Sequence, residues 1–270
     1  MIRIFLLSIF FVFLQLPLFS QPANQITYIA NAGVFIECKG KSVLIDALHL
    51  RDSGYYQQTK FPYVQAMLNA KAPFDSVHLF LVTHLYSDHF NKDLTVDFLK
   101  KHYNSLFMAP QQVVDSIPDN QLLERQIYAL ERNEQGEVLK MDGLSVTTIP
   151  LLYSFPQENA WVDNMGYLID FDGLRILHLG DAELTIDNFK KIQSVIKNKV
   201  DYAIVPHWLL EGKGKKWMKK YVNAKKYIAV HIPTYETGVY ETRLQKELAK
   251  EGMEVNVFLR TAEFELLDLN

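Results

Sequence analysis

Seven consecutive residues carry the densest chemistry in this chain: Thr83, His84, Leu85, Tyr86, Ser87, Asp88 and His89. Two imidazoles and a carboxylate offer neutral nitrogen and anionic oxygen donors, the ligand types of a hydrolytic zinc site. The run ahead of them, residues 77–82 (Val-His-Leu-Phe-Leu-Val), is short, apolar and rich in β-branched and aromatic side chains, so it reads as a buried strand. The donors therefore leave the end of a strand, where layered α/β proteins place their working groups.

The elements that must position this segment alternate along the chain. Residues 26–38 and 42–48 read as two strands of a hairpin turning at Gly40. Residues 92–103 carry helical spacing at Leu94, Phe98 and Leu99, residues 105–109 form a short strand, and residues 111–117 and 121–131 read as helices. A second strand-rich stretch covers 138–141, 144–150, 165–171 and 174–179, with Asp172-Gly173 as the hairpin turn of the last pair. Helices at 186–196 and 216–221 alternate with strands at 202–205 and 227–232. A helix at 242–251 stops at Gly252, and residues 255–259 and 264–267 close the chain as strands. Hairpins followed by strand–helix alternation, twice over, predict two sheets covered by helices in a layered α/β fold.

Of 270 residues, 49% are apolar and 22% charged, with a formal net charge of −3. Such a chain can build a sizeable core, and it lacks the basic excess expected of a nucleic-acid binder. Arg3, the apolar run 4–14 continuing to Phe19, and Ser20 ahead of a polar stretch read as a secretory signal peptide over residues 1–20. This reading is favoured over an uncleaved membrane anchor because Gln15 and Pro17 interrupt a run already short for a bilayer span. Residues 21–270 are then a single domain, secreted or periplasmic and free of the membrane after cleavage. Cys38 is the one cysteine and reads as a small buried hydrophobe.

The segment Thr83–His89 resembles the T-H-x-H-x-D-H metal-binding motif of the metallo-β-lactamase superfamily, with Tyr86 in place of the second histidine. The resemblance extends to Asn31-Ala-Gly-Val-Phe-Ile-Glu, Val43-Leu-Ile-Asp46, Phe90-Asn91, Met165-Gly-Tyr-Leu-Ile and His178-Leu-Gly-Asp181, in the manner of ascorbate-phosphate-lactonase-like members. It implies an αββα four-layer sandwich with a two-zinc site at one edge of the sheets and Asp46 as a buttress of the metal loops. Carried over residue by residue, the second zinc position is complete in Asp88, His89, Asp181 and His231. The first keeps His84 alone, because Tyr86 and, in mid-chain, Tyr153 stand where its other histidines belong.

A phenol with a pKa near ~10 is a poor zinc ligand at neutral pH, so one zinc ion is expected rather than two. One zinc with an open position still activates water, and the resemblance implies hydrolysis of a small-molecule ester, lactone or phosphoester. In that reading Tyr86 and Tyr153 donate to the developing oxyanion, His84 acts as general base or orients water, and Asp88 belongs to the catalytic set. A catalytically inactive binding protein on the same fold is the other class these residues leave open.

The remaining candidates are less specific. His207 and Trp208 follow a strand and should reach the same rim, His207 as a replacement ligand, a substrate contact or a hydrogen-bonded support. His178 reads as a core or supporting histidine, and His49, His78 and His102 as structural or surface residues. Tyr55, Tyr56, Phe61 and Tyr63 form an aromatic segment that is either a lid or rim packing. Residues 212–226 hold seven lysines among Trp217, Met218 and Tyr221. That pattern fits a solvated helix face, with an anionic-substrate or membrane-surface patch as the alternative.

Overall fold

The computed structural model describes residues 24–268 except 51–53, 118–120, 132–134, 155, 198 and 237. The leader read over residues 1–20 lies outside the described residues.

The first half of the chain runs β1 (Gln25–Ala30), β2 (Gly33–Cys38), β3 (Lys41–Ile45), α1 (Phe61–Leu68), β4 (Leu79–Leu81), α2 (Lys92–Lys101), β5 (Leu106–Pro110), α3 (Gln111–Asp115) and β6 (Ile127–Leu130). The second runs β7 (Val138–Met141), β8 (Leu144–Leu152), α4 (Pro156–Asn159), β9 (Asp163–Phe171), β10 (Leu174–His178), α5 (Ile186–Ile196), β11 (Tyr202–Pro206), α6 (Gly212–Trp217), β12 (Lys226–Val230), α7 (Gly238–Lys250), β13 (Val255–Val257) and β14 (Phe264–Leu266). Two seven-stranded sheets result, ordered β14-β1-β2-β3-β4-β5-β6 and β13-β12-β11-β10-β9-β8-β7.

Strand periodicity explains the layering. Val34, Ile36, Val43, Ile45, Leu79 and Leu81 point inward and meet Tyr167, Ile169, Ile176, Ile204 and Ile228 of the other sheet. The residues between them, Phe35, Leu44 and Phe80, point outward under Val64 and Met67 of α1 and Phe98 and Leu99 of α2. On the far side Leu177, Ala203, Val205 and Ala229 face Phe189 and Ile192 of α5 and Leu244 and Leu248 of α7. Both faces of each sheet are therefore buried, which is why these strands are continuously apolar. Each fully buried Leu, Ile or Phe contributes roughly 1.5–3 kcal/mol, so the sandwich is a stiff frame for its loops. The predicted αββα architecture is the observed one.

Two local expectations are corrected. Residues 26–38 are two antiparallel strands, not one, because Asn31 turns the chain with φ 49°. Gly33 completes that turn: a Cβ there would sit 2.6 Å from the Asp46 carbonyl oxygen. Residues 121–131 are not a helix. A short 3-10 turn at Gln121–Gln126 leads into β6, which pairs in parallel with β5. The Gln126 amide donates to the carbonyls of Leu99, His102 and Ser105 and so ties this segment to the end of α2. Elsewhere the local signals hold. Asn91 caps α2 by accepting from the Leu94 amide (3.0 Å), with Asp93 in the first turn and Lys100 and Lys101 in the last. Asp172 and Gly173 turn the β9–β10 hairpin with φ 47° and 99°.

Candidate metal centre

The site forms where parallel strands end. Pairing of β3 with β4 sets Ile45 beside Leu81, so Asp46 and Thr83 leave the sheet as neighbours. In the second sheet β10, β11 and β12 are parallel, and Asp181, His207 and His231 lie just beyond their C-terminal ends. The loops approach closely. A Cβ on Gly180 (φ +53°) would lie 2.4 Å from Asn164 Oδ1 and 2.8 Å from Thr83 Cβ. Asn31, Asp46 and His231 also take left-handed backbone, with φ of 49°, 47° and 60°. Non-glycine residues accept that strain only where the surroundings fix them, and such positions cluster at working sites. Here the His231 amide donates to the Asn31 carbonyl (3.0 Å), locking two of the three together.

One carboxylate sets the tautomers of two histidines. Asp46, fully buried, accepts from the Thr83 amide (2.8 Å) through Oδ1, and from Thr83 Oγ1 (2.6 Å) and His89 Nδ1 (2.8 Å) through Oδ2. Thr83 spends its hydroxyl proton on Asp46, so its oxygen accepts from His84 Nδ1 at 2.9 Å. Both histidines are thereby protonated at Nδ1, and both direct Nε2 inward.

Around those nitrogens the carboxylates converge. His89 Nε2 lies 3.4 Å from Asp181 Oδ1 and 4.0 Å from Asp88 Oδ2. His231 Nε2 lies 3.2 Å from Asp181 Oδ2 and 3.6 Å from Asp88 Oδ2, and His84 Nε2 lies 3.8 Å from Asp181 Oδ2. Donors held at about 2.0–2.2 Å from one zinc ion stand roughly 3–3.6 Å apart, and the observed spacings of 3.2–4.0 Å are close to that frame. Two overlapping groups satisfy the mutual reach of metal ligands: His84, His89 and Asp181, and Asp88, His89 and His231. His84 Nε2, both ring nitrogens of His231 and Asp181 Oδ1 are buried without a hydrogen-bond partner. Buried polar atoms are rarely left so, and a cation would satisfy His84 Nε2, His231 Nε2 and Asp181 Oδ1 together. The residues fit a metal ion.

The charges are coupled. Burial opposes ionisation of every member, yet Asp181 and Asp46 hold His89 well above the ordinary imidazole range, and Asp181 and Asp88 raise His231. Against the same burial, His231 and His89 keep the Asp181 and Asp88 carboxyls below the usual range. His84 goes the other way: burial and the neighbouring His89 push it down to about 4, so it is a neutral donor.

The residues singled out from the sequence fall into two groups. Asp88, His89, Asp181, His231 and His84 meet in the cluster just described. Tyr86 and Tyr153 form a wall beside it, with ring centroids 5.2 Å apart and 5.7 and 4.9 Å from that of His84. Tyr86 donates its hydroxyl proton to Asn159 Oδ1 (2.6 Å) rather than turning it towards the donors. Burial, reinforced by Asp181, pushes the Tyr153 phenol far up, so it stays protonated. His178 is bonded to the Ala32 carbonyl and the Gly180 amide, supporting the turn that carries Asp181. His49 is fully buried, and His102 stacks on Phe98. His78 pairs with Ser42.

A cavity of about 790 Å³ opens over Asp88, Asp181 and His231. Of the aromatic segment, Tyr55 and Tyr56 line it, and Tyr56 packs edge-on against His231 at 4.2 Å. Phe61 starts α1 in an exposed position and Tyr63 packs on Phe74, away from the cavity. The lysines of residues 212–226 are largely engaged. Lys215, Lys225 and Lys226 pair with carboxylates, Lys219 donates to the Glu251 carbonyl, and Lys213 and Lys220 lie over Trp217 and Tyr221.

Sequence reasoning gave no role to three asparagines that hold the site. Asn31 Nδ2 donates to the backbone and carboxylate of Asp88 (3.1 and 3.2 Å), Asn164 Oδ1 accepts from the Asp181 amide (3.1 Å), and Asn159 anchors Tyr86. The available signal was a short amide side chain at the edge of an otherwise apolar strand, as at Asn164.

The family model described as "Beta-lactamase superfamily domain" matches residues 25–229, which include the cluster up to Asp181. The chain belongs to the metallo-β-lactamase superfamily. No curated protein matches the sequence. Among solved structures it is similar to Igni18, described as a novel metallo hydrolase from Ignicoccus hospitalis KIN4/I (TM-score 0.65, 16% identity, 93% of this chain and 100% of that one). It is also similar to CmlA, a diiron β-hydroxylase from Streptomyces venezuelae (TM-score 0.61, 14% identity), covering 92% of this chain and 55% of that longer one. A third is isothiocyanate hydrolase from Delia radicum gut bacteria (TM-score 0.60, 16% identity, 90% and 99%). At these identities the likeness is one of fold.

Proposed function

We propose that this superfamily member is an exported hydrolase that uses a single zinc ion to cleave a small-molecule ester, lactone or phosphoester. Neither nucleic acid nor a membrane is its partner in this reading. The observation that carries it is the convergence of three imidazole nitrogens and two carboxylates on one buried space, with three of the converging atoms lacking hydrogen-bond partners. Asp88, His89, Asp181 and His231 would hold the ion, with His84 as the neighbouring fifth donor. Tyr86 and Tyr153 fill the flank where a second ion would need imidazoles, which supports one ion over two.

When bound, zinc supplies Lewis acidity and makes water more acidic. The chain's own residues do the rest. Asp46 and Thr83 keep the Nε2 lone pairs of His89 and His84 directed inward. Asn31 holds the Asp88 carboxylate in place. Tyr56 and Trp208 pack edge-on against His231 and shield it from solvent. The protonated Tyr153 phenol stands beside His84 as a neutral hydrogen-bond donor for a developing oxyanion.

Elemental analysis of the purified mature protein tests the reading. About one zinc per chain, lost in Asp181→Ala, together with turnover of an ester, lactone or phosphodiester that His89→Ala abolishes, is the expected result. Two ions per chain overturn the single-ion assignment. No metal under zinc-replete conditions favours the inactive binding protein. Amino-terminal sequencing of protein recovered outside the cytoplasm tests export: a start at residue 21 is expected.

A further inference from the structure

The same cavity is lined by a second cluster that the metal reading does not use. His207, directly after β11, places Nδ1 3.2 Å from Glu211 Oε1 and 3.0 Å from the Tyr240 hydroxyl, and that hydroxyl lies 2.6 Å from the same Glu211 oxygen. Tyr240 comes from α7, and Glu211 immediately precedes α6, so three separate elements build the network. All three residues line the cavity that opens over Asp88, Asp181 and His231.

Counting protons assigns the tautomer. The Tyr240 phenol, raised by burial and by Glu211, keeps its one proton and donates it to the carboxylate, the stronger acceptor at the shorter distance. Glu211 is held below the usual carboxylate range, chiefly by its bond to His207, and stays an acceptor. Only an N–H at His207 Nδ1 completes the triangle, because an Nδ1 lone pair would face two oxygens whose only proton is already spent. The other ring nitrogen, Nε2, has no hydrogen-bond partner among the described residues, and the side chain keeps 21% of its surface exposed. A carboxylate behind an imidazole whose far nitrogen is left for a ligand is the arrangement that orients a proton-transfer histidine.

We propose that His207 is the proton carrier of the reaction: its Nε2 lone pair takes up the proton that the attacking water gives up and delivers it to the departing oxygen, with Glu211 and Tyr240 as positioning residues. The inference rests on the hydrolase reading above. As water oxygen bonds to the substrate carbon or phosphorus, the bond to the leaving oxygen breaks. The leaving oxygen keeps that electron pair and takes the Nε2 proton. That proton is the one the Nε2 lone pair took from the attacking water, whose loss of it the ion would ease, so the imidazole ends as it began, protonated at Nδ1 alone. Leaving groups that are stable as anions need no such proton, whereas poor ones do.

Two measurements on the zinc-loaded full chain decide it. With phenyl acetate and p-nitrophenyl acetate as probes, His207→Gln should lower kcat for phenyl acetate by about 10²-fold while changing p-nitrophenyl acetate by less than about threefold, with zinc content intact. Glu211→Ala should show the same selectivity at smaller size. Equal losses on both esters, or no loss on either, overturn the proposal. Long-range proton–nitrogen NMR should show His207 protonated at Nδ1 in the wild type and shifted towards the Nε2 form in Glu211→Ala. A wild type protonated at Nε2 alone overturns the proposal without reference to activity. A wild type inert to both esters, with the Nδ1 tautomer present, overturns the hydrolase reading and the proton carrier's role together while leaving the network as described.

Discussion

The two flanks of the metal centre are built from the same motif and differ in kind. On one side His89 and His231 each bring Nε2 within 4.0 Å of the Asp88 carboxylate, buttressed by Asp46 and Asn31. On the other, His84 keeps an imidazole but its neighbours are the rings of Tyr86 and Tyr153. The first flank is electrostatically unfinished without a cation. The second, His84 Nε2 aside, is finished by packing, with Tyr86 bonded to Asn159 and Trp161 edge-on to Tyr86. The tyrosines thus make this half of the site an aromatic wall on the same frame that holds the polar half.

Removing the residue shared by both donor groups should break the comparison most severely. Asp181 lies near His84, His89 and His231 at once. Asp181→Ala should abolish stoichiometric zinc binding, measured by elemental analysis after dialysis, because its loss leaves three imidazoles with one remaining carboxylate. Retention of a full equivalent would show that the ion sits elsewhere.

How much of this was legible in the sequence follows from chain distance. His84, Asp88 and His89 are contiguous, and strand-end placement was readable from the apolar run before them. Asp181 and His231 needed the resemblance, since nothing local connects them to residue 84. The parallel register that seats Asp46 beside Thr83 joins residues 37 apart, and the triangle of His207, Glu211 and Tyr240 spans three elements. Such neighbours are set by tertiary packing, and no periodicity encodes them. The break between β1 and β2 was hidden for a different reason: strands buried on both faces lose the polar alternation that marks a turn, and only Asn31 and Gly33 signalled it. The strand at 127–130 was misread as helix because a four-residue edge strand is too short to declare its period.

Converting the aromatic flank back is the next largest test. Tyr86→His combined with Tyr153→His should raise zinc stoichiometry from one to two per chain, because both side chains already stand beside His84. If the double variant folds, as judged by circular dichroism, and still binds one ion, then these positions do not decide metal number and the contrast between the flanks has another cause.

A smaller effect should follow from loosening the support common to both sides. Asp46 orients His89 directly and His84 through Thr83. Asp46→Ala should weaken zinc affinity by about 10–100-fold, the usual cost of removing a carboxylate behind a metal-binding histidine. Competition against a chromophoric chelator reads this. An unchanged affinity would mean the tautomers are set by something other than this carboxylate.

The mildest change separates packing from coordination on the aromatic flank. Tyr86→Phe keeps the ring against His84 and Tyr153 but removes the donor to Asn159. Loss of one partly buried hydrogen bond should cost about 1 kcal/mol in denaturant unfolding, with zinc stoichiometry and affinity unchanged. If the phenol oxygen instead contributed to the ion, affinity would fall while stability of the metal-free protein barely moved. The two outcomes are opposite in sign of evidence: the first makes Tyr86 a wall, the second makes it a ligand and dissolves the distinction between the flanks.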